Sequence, residues 1–242
     1  LVRLERQYKI SRAQTFLGEE LKSMTTYNIL LFDLDGTLTE SHIGIIKSFQ
    51  FALRKMGIDE PKAENLIKHV GPPFQETLKN FYGMQPADVD KAVGFFRQRF
   101  IEKGMFENQL YPRIPSLLEK LKQEDKTLVV ATSKLTAFAE GILRYFKIDH
   151  YFDFVEGSSL EGNTKAEVIQ QALIHFPGVD KKDFIMIGDR NHDIIGARNA
   201  GIDSIAVTYG YGSVEEFKNA QPTFIANSVE EIERILNVSF VK

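Results

Sequence analysis

The 242-residue chain is 43% hydrophobic and 26% charged, enough apolar mass for one large or two modest globular domains. Its 30 basic and 33 acidic residues nearly cancel to a formal charge of −3, which argues against nucleic-acid and anionic-membrane partners and for a small molecule. With no cysteine, disulfides, thiolate nucleophiles and cysteine-ligated zinc are excluded, so any covalent chemistry must use oxygen or nitrogen.

At the N-terminus, Arg3, Arg6, Lys9 and Arg12 are mixed with Glu5, Glu19 and Glu20 and no apolar signal core appears. Residues 1–24 are expected to form an extension, with Met24 as the natural start. An organellar transit segment fits the early arginines but not the glutamates. No run approaches the ~18 apolar residues of a membrane helix, so a cytoplasmic location is the expectation. No repeated apolar surface pattern demands a second subunit, and a monomer is expected.

The first strand is predicted over residues 28–34, where Ile29, Leu30, Leu31 and Phe32 leave no polar face for water. It ends in Asp33 and Asp35. Side chains two apart on a strand point the same way, so the two carboxylates repel unless a cation or proton lies between them. A divalent metal is the usual remedy. Asp35-Gly36 is also a strong tight-turn signal, and the strand end by itself does not decide between the two readings.

The pattern then turns helical. Ile46, Phe49, Leu53 and Met56 have helical spacing, with Gly57 as a stop. Residues 65–70 and 75–82 form helices on either side of Gly71-Pro72-Pro73. A longer helix begins near Pro86 and carries the stripe Val89, Val93, Phe96 and Phe100. No strand is predicted in 42–105. Beyond Tyr111-Pro112 helices and strands alternate: helix 117–121, strand 127–131, helix 138–146, strand 152–156, helix 165–175, strand 184–187, helix 193–200 and strand 204–208. Alternation of this kind implies a parallel sheet covered by helices on both faces. The fold class expected is therefore α/β, a Rossmann-like parallel-sheet core of residues 25–41 and 106–242, with residues 42–105 as an inserted helical cap.

Open parallel sheets bind ligands at the carboxyl ends of their strands, and those ends agree in chemistry. The first offers Asp33 and Asp35, the second Thr132-Ser133-Lys134, and the strand at 184–187 leads into Gly188-Asp189 with Asp193 beyond. Thr132, Ser133 or Thr136 could equally cap the following helix, and Asp189 and Asp193 could be a turn and a favourable helix-start charge. Convergence on one rim favours a site. Thr164 and Glu167 have capping-box spacing, which places Lys165 at the first helical position. A cation is disfavoured there unless an anion lies nearby. Together these residues offer what phosphoryl transfer requires: a carboxylate nucleophile, a proton donor, oxygen ligands suited to Mg²⁺, and cations around the phosphoryl oxygens.

The sequence resembles the haloacid dehalogenase superfamily, in its phosphatase branch with a helical cap inserted after the first motif. The resemblance runs from about Tyr27 to the C-terminus and rests on DLDGT, the hydroxyl residue after VVA, Lys165, and GDRNHD, in the family's order. HVGPPF, TSK and YGYGS add likeness to phosphoglycolate-phosphatase-like and 5′-nucleotidase-like members. The resemblance implies Asp33 as nucleophile and Asp35 as general acid and base. It implies Thr132, Ser133, Gly36 and Lys165 as phosphate-binding groups, Lys165 being counted as catalytic too. Mg²⁺ would be held by Asp33, the main-chain carbonyl of Asp35, and Asp189, with Asp193 supporting. Gly36 and Thr37 would start a hinge to the cap. Two departures stand out: Lys165 precedes Ala166 rather than proline, and Arg113 stands where Tyr-Pro-Gly is usual.

The cap is expected to read the part of a small phosphorylated substrate beyond its phosphate. Candidates are His42, Lys47, His69, Gly71 and Pro72. Arg97 and Arg99 read instead as the solvated side of an apolar stripe, and Phe95, Phe96 and Phe100 as cap core. The expected reaction is Mg²⁺-dependent hydrolysis of a phosphate monoester through an aspartyl-phosphate. A phosphomutase shares every motif and stays open. A dehalogenase would not need Asp35, and a phospho-acceptor regulatory domain would be about half this length and lack the insertion.

Overall fold

A computed structural model describes residues 27–59, 62–67, 69–71, 74–159 and 163–237. The extension 1–24, with Met24, and the candidate Pro72 lie outside the described residues. Six strands form one parallel sheet: β1 (Ile29–Phe32), β2 (Thr127–Leu135), β3 (Phe154–Ser158), β4 (Phe184–Gly188), β5 (Asp203–Val207) and β6 (Phe224–Ala226), in the spatial order β3-β2-β1-β4-β5-β6.

The most apolar strand is central. In β1, Leu30 and Phe32 point into one core, and Ile29 and Leu31 into a second on the opposite face. The sheet is buried from both sides, as a continuous apolar run requires. The first face is covered by α5 (Ile114–Gln123), α6 (Thr136–Tyr145) and α10 (Val229–Ile235) through Leu117, Ile142 and Ile232. The second is covered by α7 (Lys165–Ile174) and α8 (Asn191–Ala200) through Val168, Ile169 and Ala197. This is the Rossmann-like α/β core that the alternating pattern predicts.

Between β1 and β2 the described residues contain helices and no named strand: α1 (His42–Lys55), α2 (Ala63–Ile67), α3 (Phe74–Asn80) and α4 (Pro86–Arg99), which runs into a π-helical turn over Phe100–Gly104. Rings hold this segment together. Phe49 meets Phe74 at 4.4 Å, Phe74 meets Phe96 at 4.7 Å, and Phe96 stacks on Phe100 at 5.5 Å between centroids. Gly44 of α1 lies directly on the Gly104 carbonyl, a backbone contact that no larger residue permits. No helix among the described residues is long and apolar enough to cross a membrane.

Several boundaries differ from expectation. β1 stops at Phe32 because the N–H groups of Leu38 and Thr39 turn back to the Leu34 carbonyl, at 3.0 and 2.9 Å. β2 extends to Leu135 rather than ending at 131, with a register shift against β3 between Ala131 and Leu135. Neither Ser133 nor Thr136 caps α6, whose N-cap position is Leu135. Beyond the strand at 204–208 the chain adds α9 (Val214–Ala220), β6 and α10, and α9 starts at a capping box of Ser213 and Glu216. Arg113 adopts φ 69°, a left-handed conformation that glycine enters at little cost, and its guanidinium reaches Glu230 at 3.1 Å. Its departure from the family pattern changes a loop and leaves α5 in place.

Two glycine substitutions separate packing from propensity. Gly94 lies within α4 with nothing near its missing Cβ, so Gly94→Ala is expected to raise stability by about 0.5–1 kcal/mol. Gly44→Ala drives a methyl into backbone and is expected to cost roughly 1–3 kcal/mol. Urea unfolding of the two variants checks both; equal shifts of the same sign would contradict the packing described.

Candidate active site

Strand register assembles the site. Phe32 pairs with Val130 on one side and Ile187 on the other, so Asp33, Ala131-Thr132 and Gly188-Asp189 leave the sheet at one level. The neighbours of β1 connect to opposite halves of the sheet, which opens a crevice above its end. α7 begins at the same rim. Thr164 Oγ1 accepts the Glu167 N–H at 3.3 Å, and the Thr164 N–H donates to the Glu167 carboxylate at 2.7 Å, fixing Lys165 as the first helical residue.

The anion that a lysine at this position calls for is present. Lys165 Nζ lies 2.6 Å from Asp33 Oδ1, 2.9 Å from Asp193 Oδ1 and 3.0 Å from the Ala131 carbonyl, with only 6% of the residue exposed. Burial by itself would lower its pKa, but the charges of Asp193 and Asp33 outweigh that and hold it above the ordinary lysine range. Asp33 moves the other way. Burial, opposed by Lys165 and reinforced by Asp193, raises it to about 6. Asp189 is pushed well above the usual carboxylate range by burial and by the charges of Asp33 and Asp193.

Oxygen atoms of Asp33, Asp189 and Asp193 lie within 4.8 Å of one another, so three buried carboxylates face a single ammonium. Asp189 Oδ1 has no hydrogen-bond partner, and Asp193 Oδ1 has only the ion pair with Lys165. A hard divalent cation such as Mg²⁺ fits this all-oxygen donor set and the uncompensated charge.

Asp35 stands apart. Its Oδ2 lies 2.8 Å from Lys134 Nζ, and its Oδ1 is buried without a hydrogen-bond partner. Lys134 also sits 4.5 Å over the Phe100 ring of the helical segment. The sequence places Lys134 at the strand end without a role of its own, yet the signal existed: in an extended strand it shares a side with Thr132. The Thr132 hydroxyl, 1% exposed as a residue, accepts the Lys134 N–H at 3.3 Å.

Glycines close the site from behind. Gly36 has φ +86°, and a Cβ there would collide with the Asp189 carboxylate. Its N–H donates to the Thr39 carbonyl at 2.8 Å, and it lines neither cavity of the site, so its place is packing behind Asp189 rather than the phosphate contact expected of it. Gly210 and Gly212 press on Asp189 from the loop after β5, where the Tyr211 N–H donates to Asp189 Oδ2 at 2.7 Å. Tyr209 Oη donates to the Thr37 carbonyl at 3.1 Å. YGYG thus orients Asp189 and ties it to the turn after β1.

Two adjacent cavities border these groups. A small one, about 20 Å³, is bordered by Asp33, Thr132, Ser133, Lys165, Asp193 and Arg190. A larger one, about 130 Å³, is walled by Phe49, Phe74, Phe96, Phe100 and Phe138, with His69, Gln75 and Arg97 as polar groups. Asp35, Gly71, Ser133 and Lys134 border both. Of the specificity candidates, His69 and Gly71 are therefore at the larger cavity. His42 and Lys47 are not: the His42 main-chain N–H donates to Tyr211 Oη at 3.0 Å and its ring meets the Tyr211 ring edge-on at 5.9 Å, while Lys47 pairs with Glu107 at 2.9 Å on the surface. Arg97 lines the cavity although its position reads as solvated, while Arg99 pairs with Glu107 at 2.8 Å. Phe96 and Phe100 serve as core and cavity wall at once.

A parallel sheet with a carboxylate-lysine cluster at its carboxyl rim, beneath a helical segment inserted after the first strand, defines a hydrolase class. The chain belongs to the haloacid dehalogenase-like hydrolase family, whose model matches residues 30–207, and it is a phosphatase of that family. It is 41% identical over 211 residues to a 5′-nucleotidase of Pseudomonas aeruginosa, covering 87% of this chain and 96% of that protein. It is 35% identical over 214 residues to the tyrosine-protein kinase PtkA of Mycobacterium tuberculosis, covering 87% of this chain and 72% of that one. Among solved structures, a putative phosphatase from Clostridium difficile matches with a TM-score of 0.79 and 49% identity, covering 88% of this chain and 100% of that one.

The raised pKa of Asp33 has a defined sign in stability. From its ordinary value of 3.8 up to about 6 the folded state holds the proton more tightly than the unfolded chain. Wild-type stability therefore loses a contribution as pH rises through that window. Asp33→Asn removes this titration. Urea unfolding in EDTA at intervals from pH 4 to 7 is expected to show the variant gaining on wild type up to about pH 6 and then levelling. A flat difference would contradict the buried, uncompensated charge.

Proposed function

We propose that the protein is a Mg²⁺-dependent phosphatase that hydrolyses a small-molecule phosphate monoester through an aspartyl-phosphate on Asp33, with a nucleoside-sized leaving group. The observation that carries this is the separation of the two carboxylates. Asp33 lies in the buried Lys165 cluster, whereas Asp35 is held 2.8 Å from Lys134 where the two cavities meet. Carboxylates in different environments suit different roles.

In this reading Asp33 attacks phosphorus, and Asp35 gives its proton to the departing ester oxygen. Asp35 then takes a proton from the water that hydrolyses the acyl phosphate and releases inorganic phosphate. Thr132, Ser133 and Lys165 hold the phosphoryl oxygens. Asp33, the Asp35 main-chain carbonyl and Asp189, with Asp193 supporting, would hold Mg²⁺, which would supply the positive charge that lets a carboxylate approach a phosphate dianion. The helical segment acts as a cap and excludes water from the cavity.

The apolar wall of the larger cavity supports the leaving-group assignment. A glycolyl group offers too little apolar surface to cover five phenylalanine rings, while a nucleoside base has a flat face to lay on them. The similarity to a protein named 5′-nucleotidase points the same way.

Purified protein is expected to hydrolyse an aryl phosphate with Mg²⁺ and to stop in EDTA; equal rates in the two would sink the metal requirement. Asp33→Asn should abolish turnover. Asp35→Asn should lose about 10²–10⁴-fold while still binding orthovanadate, since only proton transfer is removed. Across a panel of esters, kcat/KM for nucleoside 5′-monophosphates should exceed that for phosphoglycolate, and the reverse order would overturn the leaving-group assignment. Product analysis that finds a transferred phosphoryl group instead of inorganic phosphate would indicate a mutase.

A further inference from the structure

Arg190 follows Asp189 directly, yet its side chain leaves the carboxylate cluster and crosses to the helical segment. Its Nη1 donates to the main-chain carbonyl of Val70, and its Nε donates to Glu216 Oε1 at 3.1 Å. The guanidinium side is well enclosed, with 11% of the side chain exposed. Glu216 is itself fixed: its Oε2 accepts the Ser213 N–H at 2.9 Å, and its own N–H donates to Ser213 Oγ at 3.1 Å. An arginine fork anchored at one end by an oriented carboxylate and planar by nature has little freedom at the other.

The turn it reaches is the one between the two cavities. Gly71 borders both, and His69 borders the larger. Gly71 has φ +109°, and a Cβ built on it would lie 3.2 Å from Arg190 Nη1 and 3.3 Å from its Cγ. The glycine leaves the space that the arginine side chain occupies. Three motifs that the catalytic chemistry does not account for, the arginine in GDRNHD, the glycine in HVGPPF and the glutamate after YGYGS, thus meet at one contact between core and cap.

We propose that Arg190 is a positioning residue: with Glu216 orienting its guanidinium, it pins the 69–71 turn of the cap over the junction of the two cavities, so that the wall facing the leaving group is assembled. This rests on the phosphatase reading above. Arg190 also borders the small cavity, but its guanidinium hydrogen bonds run to Val70 and Glu216, so the pin acts on the ester's leaving group through the turn. Loss of one charge-assisted hydrogen bond across a closing interface corresponds to about a tenfold change in an equilibrium.

The test compares wild type with Arg190→Ala, Arg190→Lys, Glu216→Ala and the Arg190→Ala/Glu216→Ala double variant, on the nucleoside monophosphate hydrolysed best. Arg190→Ala is expected to raise KM about tenfold with kcat changed less than threefold. Glu216→Ala should follow in the same direction by less, and the double variant should equal Arg190→Ala alone because one contact is lost once. Lysine should recover part of the KM. Inhibition by orthovanadate should be unchanged, and peptides containing residues 69–71 should exchange amide hydrogens faster while the sheet does not. Weaker vanadate inhibition in step with KM would mean that Arg190 grips the phosphoryl group, and would overturn the proposal. Unaltered KM or unaltered exchange at 69–71 would overturn it too. If wild type hydrolyses no phosphate ester, the phosphatase reading fails, and the exchange measurement still decides whether Arg190 pins the turn. Should Arg190→Ala fail to fold, Glu216→Ala carries the same comparisons with Arg190 in place.

Discussion

The structure is organised around one buried ammonium. Lys165 Nζ, between Asp33 at 2.6 Å and Asp193 at 2.9 Å, is what allows those carboxylates to share a buried space. Two charges taken out of water are costly unless their partners are close and further polar contacts satisfy them, and here the Ala131 carbonyl at 3.0 Å completes the lysine's shell. The compensation is incomplete by design of the donor set. With Asp189 the cluster carries more negative charge than one lysine cancels, and the upward pressure on Asp33 and Asp189 is the electrostatic sign of that deficit. The same deficit suits the cluster to the hard cation and the phosphate group of the proposed reaction.

Everything nearby keeps those four side chains in place. The parallel register sets Asp33 level with Ala131 and Gly188, one residue short of Thr132 and Asp189. The capping box at Thr164 fixes where α7 starts and therefore where Lys165 points. Gly36, Gly210 and Gly212 let backbone close on Asp189 from behind, and the Tyr211 N–H holds one of its oxygens. A carboxylate gripped on one oxygen presents the other in a fixed direction, which is how a site gains precision from packing rather than from additional ligands.

The helical segment contributes a different kind of surface. Its phenylalanines stack into a wall that is part of the segment's own core, so the rigidity of the cavity derives from folding and needs no ligand. Two core cations meet that segment at the edge of the site, Lys134 over the Phe100 ring and Arg190 on the Val70 carbonyl. Polar chemistry from the sheet and apolar chemistry from the insertion therefore join along a seam marked by Asp35, Gly71, Ser133 and Lys134.

Much of this was legible in the chain alone, because strong local signals survive translation into structure. A four-residue apolar run fixed β1, alternating periodicity fixed the parallel core, and acidic and hydroxyl residues at strand ends named Asp33, Thr132 and Asp189 before any geometry was known. The capping box located Lys165. What the sequence could not show was anything dependent on partners distant along the chain. Lys134 reads as one more charge until Asp35 and Phe100 come within reach, and His42 and Lys47 look as promising as His69 until Tyr211 and Glu107 occupy them. β6 is too short for periodicity to register, and Arg97 turns to the cavity only because α4 packs against α1 and α3. Residue types and their order determined the fold class and the chemical kind of site. Only tertiary structure decided which charges neutralise one another, since pairing depends on distances that no local pattern encodes.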